Sequence, residues 1–136
     1  MRKEVLMEPG FAGQIVEIIK STRSIDEMTE KLKDFHDKDI AQSFELLNTA
    51  ERNLLYSALD AEWLADIISY IDNPVQYVEE IGIEKLAAII NEMDADDAVD
   101  LWSVIEESVK VKLRPMIDDE TKTDIRLINS YEEDEI

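Results

Sequence analysis

The segment MDADDAVDLW, residues 93–102, sets Asp94, Asp96, Asp97 and Asp100 within seven positions and runs straight into Leu101 and Trp102. Carboxylates at that density can do two things. They can hold a hard cation, which prefers oxygen ligands. They can also open a helix, because a short acidic side chain accepts a hydrogen bond from an otherwise unpaired backbone N–H. Asp94 reads as such a cap. On a helix advancing about 100° per residue, Asp96 and Asp100 lie side by side on the face opposite the apolar stripe. Like charges four apart repel by a few tenths of a kcal/mol. Asp66 and Asp124 hold the outward position of Asp100 in their own segments. Two outward carboxylates suit the loose binding of Mg2+, which keeps several waters and takes one or two protein carboxylates. They do not suit a closed Ca2+ cage, and the sequence has no EF-hand loop. A purely solvated acidic face explains the same pattern and, from spacing alone, is the simpler reading.

Other chemistry finds little support. The single histidine, His36, stands where a helix begins and reads as a helix-entry residue. Cysteine is absent, so thiolate ligands and disulfides are excluded, which fits a reducing compartment. With one His and no Cys, a nucleophile–base arrangement needs Ser or Thr with a carboxylate, and no local motif offers one. No glycine loop cradles phosphate. The chain does not read as an enzyme. Trp63, Trp102, Phe44 and Tyr56 sit on or beside apolar stripes and read as core.

The net charge of −19 narrows the partners. Residues 60–106 hold thirteen acids against one base, Lys85, whereas residues 1–40 hold nine acids against seven bases. Such a surface repels phosphate backbones and anionic lipid, so neither nucleic acid nor direct lipid binding is expected. It attracts cations or a basic partner. The longest uncharged run is the eight residues from Pro9 to Val16, far below the roughly 20 apolar residues a membrane helix needs.

The elements that must position these carboxylates are short helices. Apolar residues recur at steps of three and four, and only Gly10, Gly13 and Gly82 interrupt the chain as glycine. From His36 onward the sequence divides into eight units of about twelve residues: HDKDIAQSFELL, NTAERNLLYSAL, DAEWLADIISYI, the shorter DNPVQYVEEI, GIEKLAAIINEM, DADDAVDLWSVI, EESVKVKLRPMI and DDETKTDIRLIN. Unit positions 5, 8, 9 and 12 form the apolar stripe. Asn48, Asp60, Asp72, Asp94 and Asp118 open their units as N-caps, and Asn48 has Glu51 three residues on, a capping-box spacing. Asn73–Pro74 offers an alternative cap for the fourth unit. Helices this short are unstable alone and must stack. The expected fold is therefore all-α, a superhelical array of about ten short helices. Two earlier helices, Phe11–Lys20 and Ser24 to about Phe35, the second opening on a capping box at Ser24 and Glu27, are expected to cap its N-terminal end. Pro115 should break the seventh unit near Leu113. The domain reading is capping helices over 1–35, the repeat domain over 36–129 and a linker over 130–136.

The ordered series resembles a known family. A His-start unit with Asp39, Ile40 and Ala41, twelve-residue helices, the D-D-x-x-D of Asp96, Asp97 and Asp100, and the closing Tyr131 to Glu135 are similar to the cytosolic N-terminal domain of MgtE-type magnesium transporters. The likeness spans about 36–136; the first 35 residues share only helical character. It implies a homodimeric Mg2+ channel of the inner or plasma membrane. In such a channel this domain sits on the cytoplasmic face with a CBS domain pair, a connecting helix and a membrane domain. Mg2+ held at acidic interfaces keeps that assembly compact and the pore shut, and loss of Mg2+ opens it. The resemblance places Mg2+-contacting carboxylates at Asp96 and Asp100, a third acidic position at Asp66, and Asp97 beside them. Asp37 departs from the proline that commonly follows the histidine, and the seventh unit looks shortened. A chain stopping at Ile136 is expected to be a fragment or a free-standing homologue without a pore, binding Mg2+ weakly. A second expectation, from a different class, is a protein-interaction scaffold resembling the helical middle region of the motor-switch protein FliG, with the acidic face meeting a basic partner and no metal role.

Overall fold

The structure, a computed structural model, describes residues 11–125, and these form helices and turns with no strand among them. The all-α class expected from the periodicity is the one observed. The tail at 130–136 and the end of the eighth unit, 126–129, lie outside the described residues. The chain groups into two compact units that divide between Asp60 and Ala61.

The first unit holds α1 (Ala12–Ser21), α2 (Ile25–Leu32), α3 (Asp37–Ser43) running on into a 3-10 turn (Phe44–Leu46), and α4 (Thr49–Ala58). α1 packs on α2, α3 and the 3-10 turn, and α2 packs on α4. The second unit holds α5 (Ala61–Ile68), α6 (Val75–Glu80), α7 (Ile83–Glu92), α8 (Ala95–Ser103) and α9 (Glu107–Leu113). A 3-10 turn (Arg114–Met116) follows, and residues 119–125 are again helical. Here α7 is the hub, packed by α5, α8, α9 and the 3-10 turn.

Among the described residues no helix exceeds ten residues, too few to hold its own backbone bonds in water. Burial of the stripe supplies the stability. In the first unit Ile15, Leu32, Ile40, Phe44 and Leu55 are fully buried, and in the second Leu64, Ile67, Ile89, Ile90 and Leu113. Each such side chain contributes about 1.5–3 kcal/mol relative to exposure. All of them except Ile15 and Leu32 fall on unit positions 5, 8 or 9. Phe44 meets Tyr56 edge-on, ring centroids 6.1 Å apart, which adds to the packing.

The connections explain why glycine is scarce. Several helices and both 3-10 turns end in a residue of extended backbone, such as Leu47 (φ −102°, ψ 152°) or Met93 (φ −82°, ψ 153°). The next residue, Asn48 or Asp94, is extended as well and starts the following helix. Two extended residues turn the chain without a left-handed position, so no glycine is required.

Several caps form as expected. Asn48 and Glu51 make the reciprocal capping box. His36 Nδ1 accepts the Lys38 N–H at 3.0 Å, Ser24 Oγ accepts that of Glu27 at 3.3 Å, and Asp118 Oδ1 accepts that of Thr121 at 2.8 Å. Two expectations are corrected. Asp94 holds the N-cap position of α8 but its side chain makes no capping bond. Pro74 itself is the N-cap residue of α6, so neither Asp72 nor Asn73 caps that helix. As expected, Pro115 ends α9 at Leu113, because a ring without an N–H cannot continue the α pattern.

Two polar residues do structural work that the repeat did not announce. Arg52 stands at an apolar stripe position, yet its guanidinium donates to the carbonyls of Phe44 and Leu47, satisfying the end of the first 3-10 turn. Asn91 bridges its unit: Nδ2 donates to the Met116 carbonyl at 3.2 Å, and Oδ1 accepts the Asp118 N–H at 2.9 Å. None of the described helices is long and apolar enough to cross a membrane.

Candidate functional site

α8 places the acidic cluster. Ala98, Leu101 and Trp102 are buried, which fixes the rotation of the helix and turns its other side outward. Asp96 and Asp100 are exposed as a result, and Asp97, between the two faces, is half-buried. Asp96 and Asp97 sit in the first turn, where unpaired N–H groups and the helix dipole favour negative charge. Trp102 is a core residue, as expected, and Lys110 and Arg114 of the next segment lie over its ring at 5.6 and 5.9 Å.

Asp97 reports on its surroundings. Burial, followed by the charges of Asp94, Asp100, Asp96 and Asp66, pushes its carboxyl above the ordinary aspartate value. Every group acting on it electrostatically is another carboxylate. Asp66 comes from α5, about thirty residues earlier, so the fold of the second unit brings its charge near enough to act on Asp97 together with Asp94, Asp96 and Asp100 of the α8 segment. Asp124 is not among the groups acting on Asp97. Ser69 and Ser103 donate their hydroxyls to the carbonyls of Asp66 and Asp100, each at 2.7 Å, and tie off the ends of the two helices.

Beside this cluster runs a groove of about 390 Å³. Ile68, Ile71, Leu101 and Val104 form its apolar side, and Asp72, Asp97 and Asp100 its charged side. Sequence reasoning assigned Asp72 only a capping role; its place on the groove depends on the turn between α5 and α6.

The donor set is all carboxylate oxygen, the chemistry Mg2+ prefers, and the exposure of Asp96 and Asp100 leaves room for the ion's waters. Among the described residues, no three His, Cys, Asp or Glu side chains are gathered closely enough to enclose a metal ion. The residues present thus fit one side of a hydrated Mg2+ site and not a closed cage.

Comparison with known proteins bears on the fold and the family. Residues 35–134 match a family model described as the MgtE intracellular N domain. A solved structure described as "Crystal structure of the soluble part of a magnesium transporter" is similar over 85% of this chain, with a TM-score of 0.74 and 25% sequence identity. The match spans 46% of that chain. A search of curated proteins found no match. With the family model covering well over half of its length, this chain belongs to the MgtE intracellular N-domain family.

Proposed function

We propose that this chain is the cytosolic regulatory domain of a Mg2+ transporter or channel, and that Asp96 and Asp100, with Asp66 and Asp97, form its half of a weak Mg2+ site. The observation that carries this reading is the acidic face of α8, with Asp96 and Asp100 exposed on it, half-buried Asp97 beside them, and the charge of Asp66 from α5 acting on Asp97. A divalent ion relieves that repulsion while keeping most of its waters. The opposing ligands come from a CBS pair and a membrane domain in a homodimeric assembly at the cytoplasmic face of the plasma membrane. At high Mg2+ the ion offsets charge across that interface and holds it closed. At low Mg2+ the acids repel and the interface parts, so the domain acts as a sensor. Membership of the family and the likeness to the soluble part of a magnesium transporter support this reading.

An NMR titration of the domain with MgCl2, against KCl at matched ionic strength, tests it. Amide shifts at residues 94–100 and around Asp66 are expected with Mg2+ and not with K+. In the double variant Asp96→Asn, Asp100→Asn the Mg2+-specific shifts should disappear. Identical responses to the two salts would show that the face is merely solvated.

A further inference from the structure

The acidic groove has an apolar side that a hydrated metal ion does not use. We propose that this groove in the second unit docks a cationic amphipathic helix of a partner protein. Val104, 37% exposed, lies at the junction of two grooves. It lines the 390 Å³ groove on one side, and on the other a smaller one of about 80 Å³ with Val78 of α6 and Val109 of α9. Val104 thus borders both grooves. Every charged residue lining either groove is an acid: Asp72, Asp97 and Asp100 along the first, Glu79 and Glu106 along the second.

That combination selects its occupant. A helix inserted in a groove presents apolar anchors at i, i+3, i+4 and i+7. Lys or Arg on its flanks would meet the five carboxylates, with their methylene stems lying along the apolar walls. An acidic or neutral helix leaves those carboxylates repelling or unpaired. A bare Mg2+ ion keeps its waters and gains nothing from valine and leucine. The assignment therefore stands apart from the Mg2+ reading, and the two can fail separately.

The test uses a fluorescently labelled peptide of about 18 residues, five helical turns, with Leu on one face and Lys elsewhere. A control of the same composition is scrambled so that no apolar face forms. Anisotropy is read in EDTA, without Mg2+, at about 0.15 M KCl so that exposed charges are screened. The amphipathic peptide is expected to bind at least about tenfold tighter than the scrambled one. Val104→Asp should weaken it by about tenfold, although the added charge alone predicts tighter binding. Val104→Ser, a gentler change, should weaken it in the same direction, and the amide spectrum of each variant shows whether it is folded. Amide shifts should map to α5, α6, α8 and α9. Equal binding of the two peptides, no loss on either Val104 substitution, or shifts confined to the first unit would each overturn the proposal.

Discussion

At the residue scale, Asp97 shows how the site carries a cost. Its carboxyl is raised by burial and by four neighbouring aspartates, so the folded chain holds that proton more tightly than the unfolded chain. Ionised Asp97 therefore weighs against the fold. The penalty is fully present above the raised value and vanishes below the ordinary one of 3.8. Asp97→Asn should raise stability at neutral pH by a few tenths of a kcal/mol, the size of like-charge repulsion on a helix. The gain should shrink as pH falls toward the ordinary value, which thermal melts from pH 7 downward would follow. A loss of stability at pH 7, or a gain indifferent to pH, would contradict the repulsive cluster. Thr22 makes a different case. Its Oγ1 is buried and has no hydrogen-bond partner among the described residues. Thr22→Val removes the stranded hydroxyl and should stabilise by about 1 kcal/mol, read from the denaturant midpoint.

At the element scale, the unit is a helix of two to three turns, closed and reopened by two extended residues. The design puts weight on the residue that opens each helix. Gly82 opens α7 with φ −63° and ψ 152°, a backbone any residue adopts, and a Cβ there meets nothing within 4 Å. Gly82→Ser would reduce the freedom of the unfolded chain and supply a capping oxygen to a helix that has no side-chain cap. A gain of about 0.5–1 kcal/mol is expected in chemical denaturation. If stability falls, the start of α7 is not the open, extended cap that the structure shows.

At the scale of the whole molecule, the charge of −19 is the dominant property. A chain so far from neutrality repels itself, and salt screens that repulsion. Adding KCl should raise the melting temperature. On the proposed function, MgCl2 at equal ionic strength should raise it further, since a ligand that binds only the folded state adds RT ln(1 + [L]/Kd), about 1.4 kcal/mol at ten times Kd. Melting temperatures that track ionic strength alone, whatever the cation, would reduce the charge to a solubility device.

The helices and the core were legible in the amino-acid sequence because they rest on local physics. The three-and-four periodicity that buries Ile40, Leu64 and Leu86 is written along the chain, as are the caps at Asn48 and Asp118 and the break at Pro115. The outward aim of Asp96 and Asp100 follows from the same geometry, since Leu101 and Trp102 fix the rotation of their helix. Other features needed the tertiary structure, because their partners are far apart in sequence or depend on how a turn is built. Asp66 reaches Asp97 only through the packing of the second unit, and Asn91 meets Met116 and Asp118 only where α7 passes the second 3-10 turn. Asp94 and Asp72 show the limit from the other side: both read as caps by residue type, yet Pro74 takes the N-cap of α6, and Asp94, with the extended backbone of a cap, makes no side-chain capping bond, because a cap also needs the side chain aimed at the helix start, which residue type does not dictate. The exposure of Val104 between two grooves is likewise a product of packing, since it depends on how the neighbouring helices leave that residue uncovered.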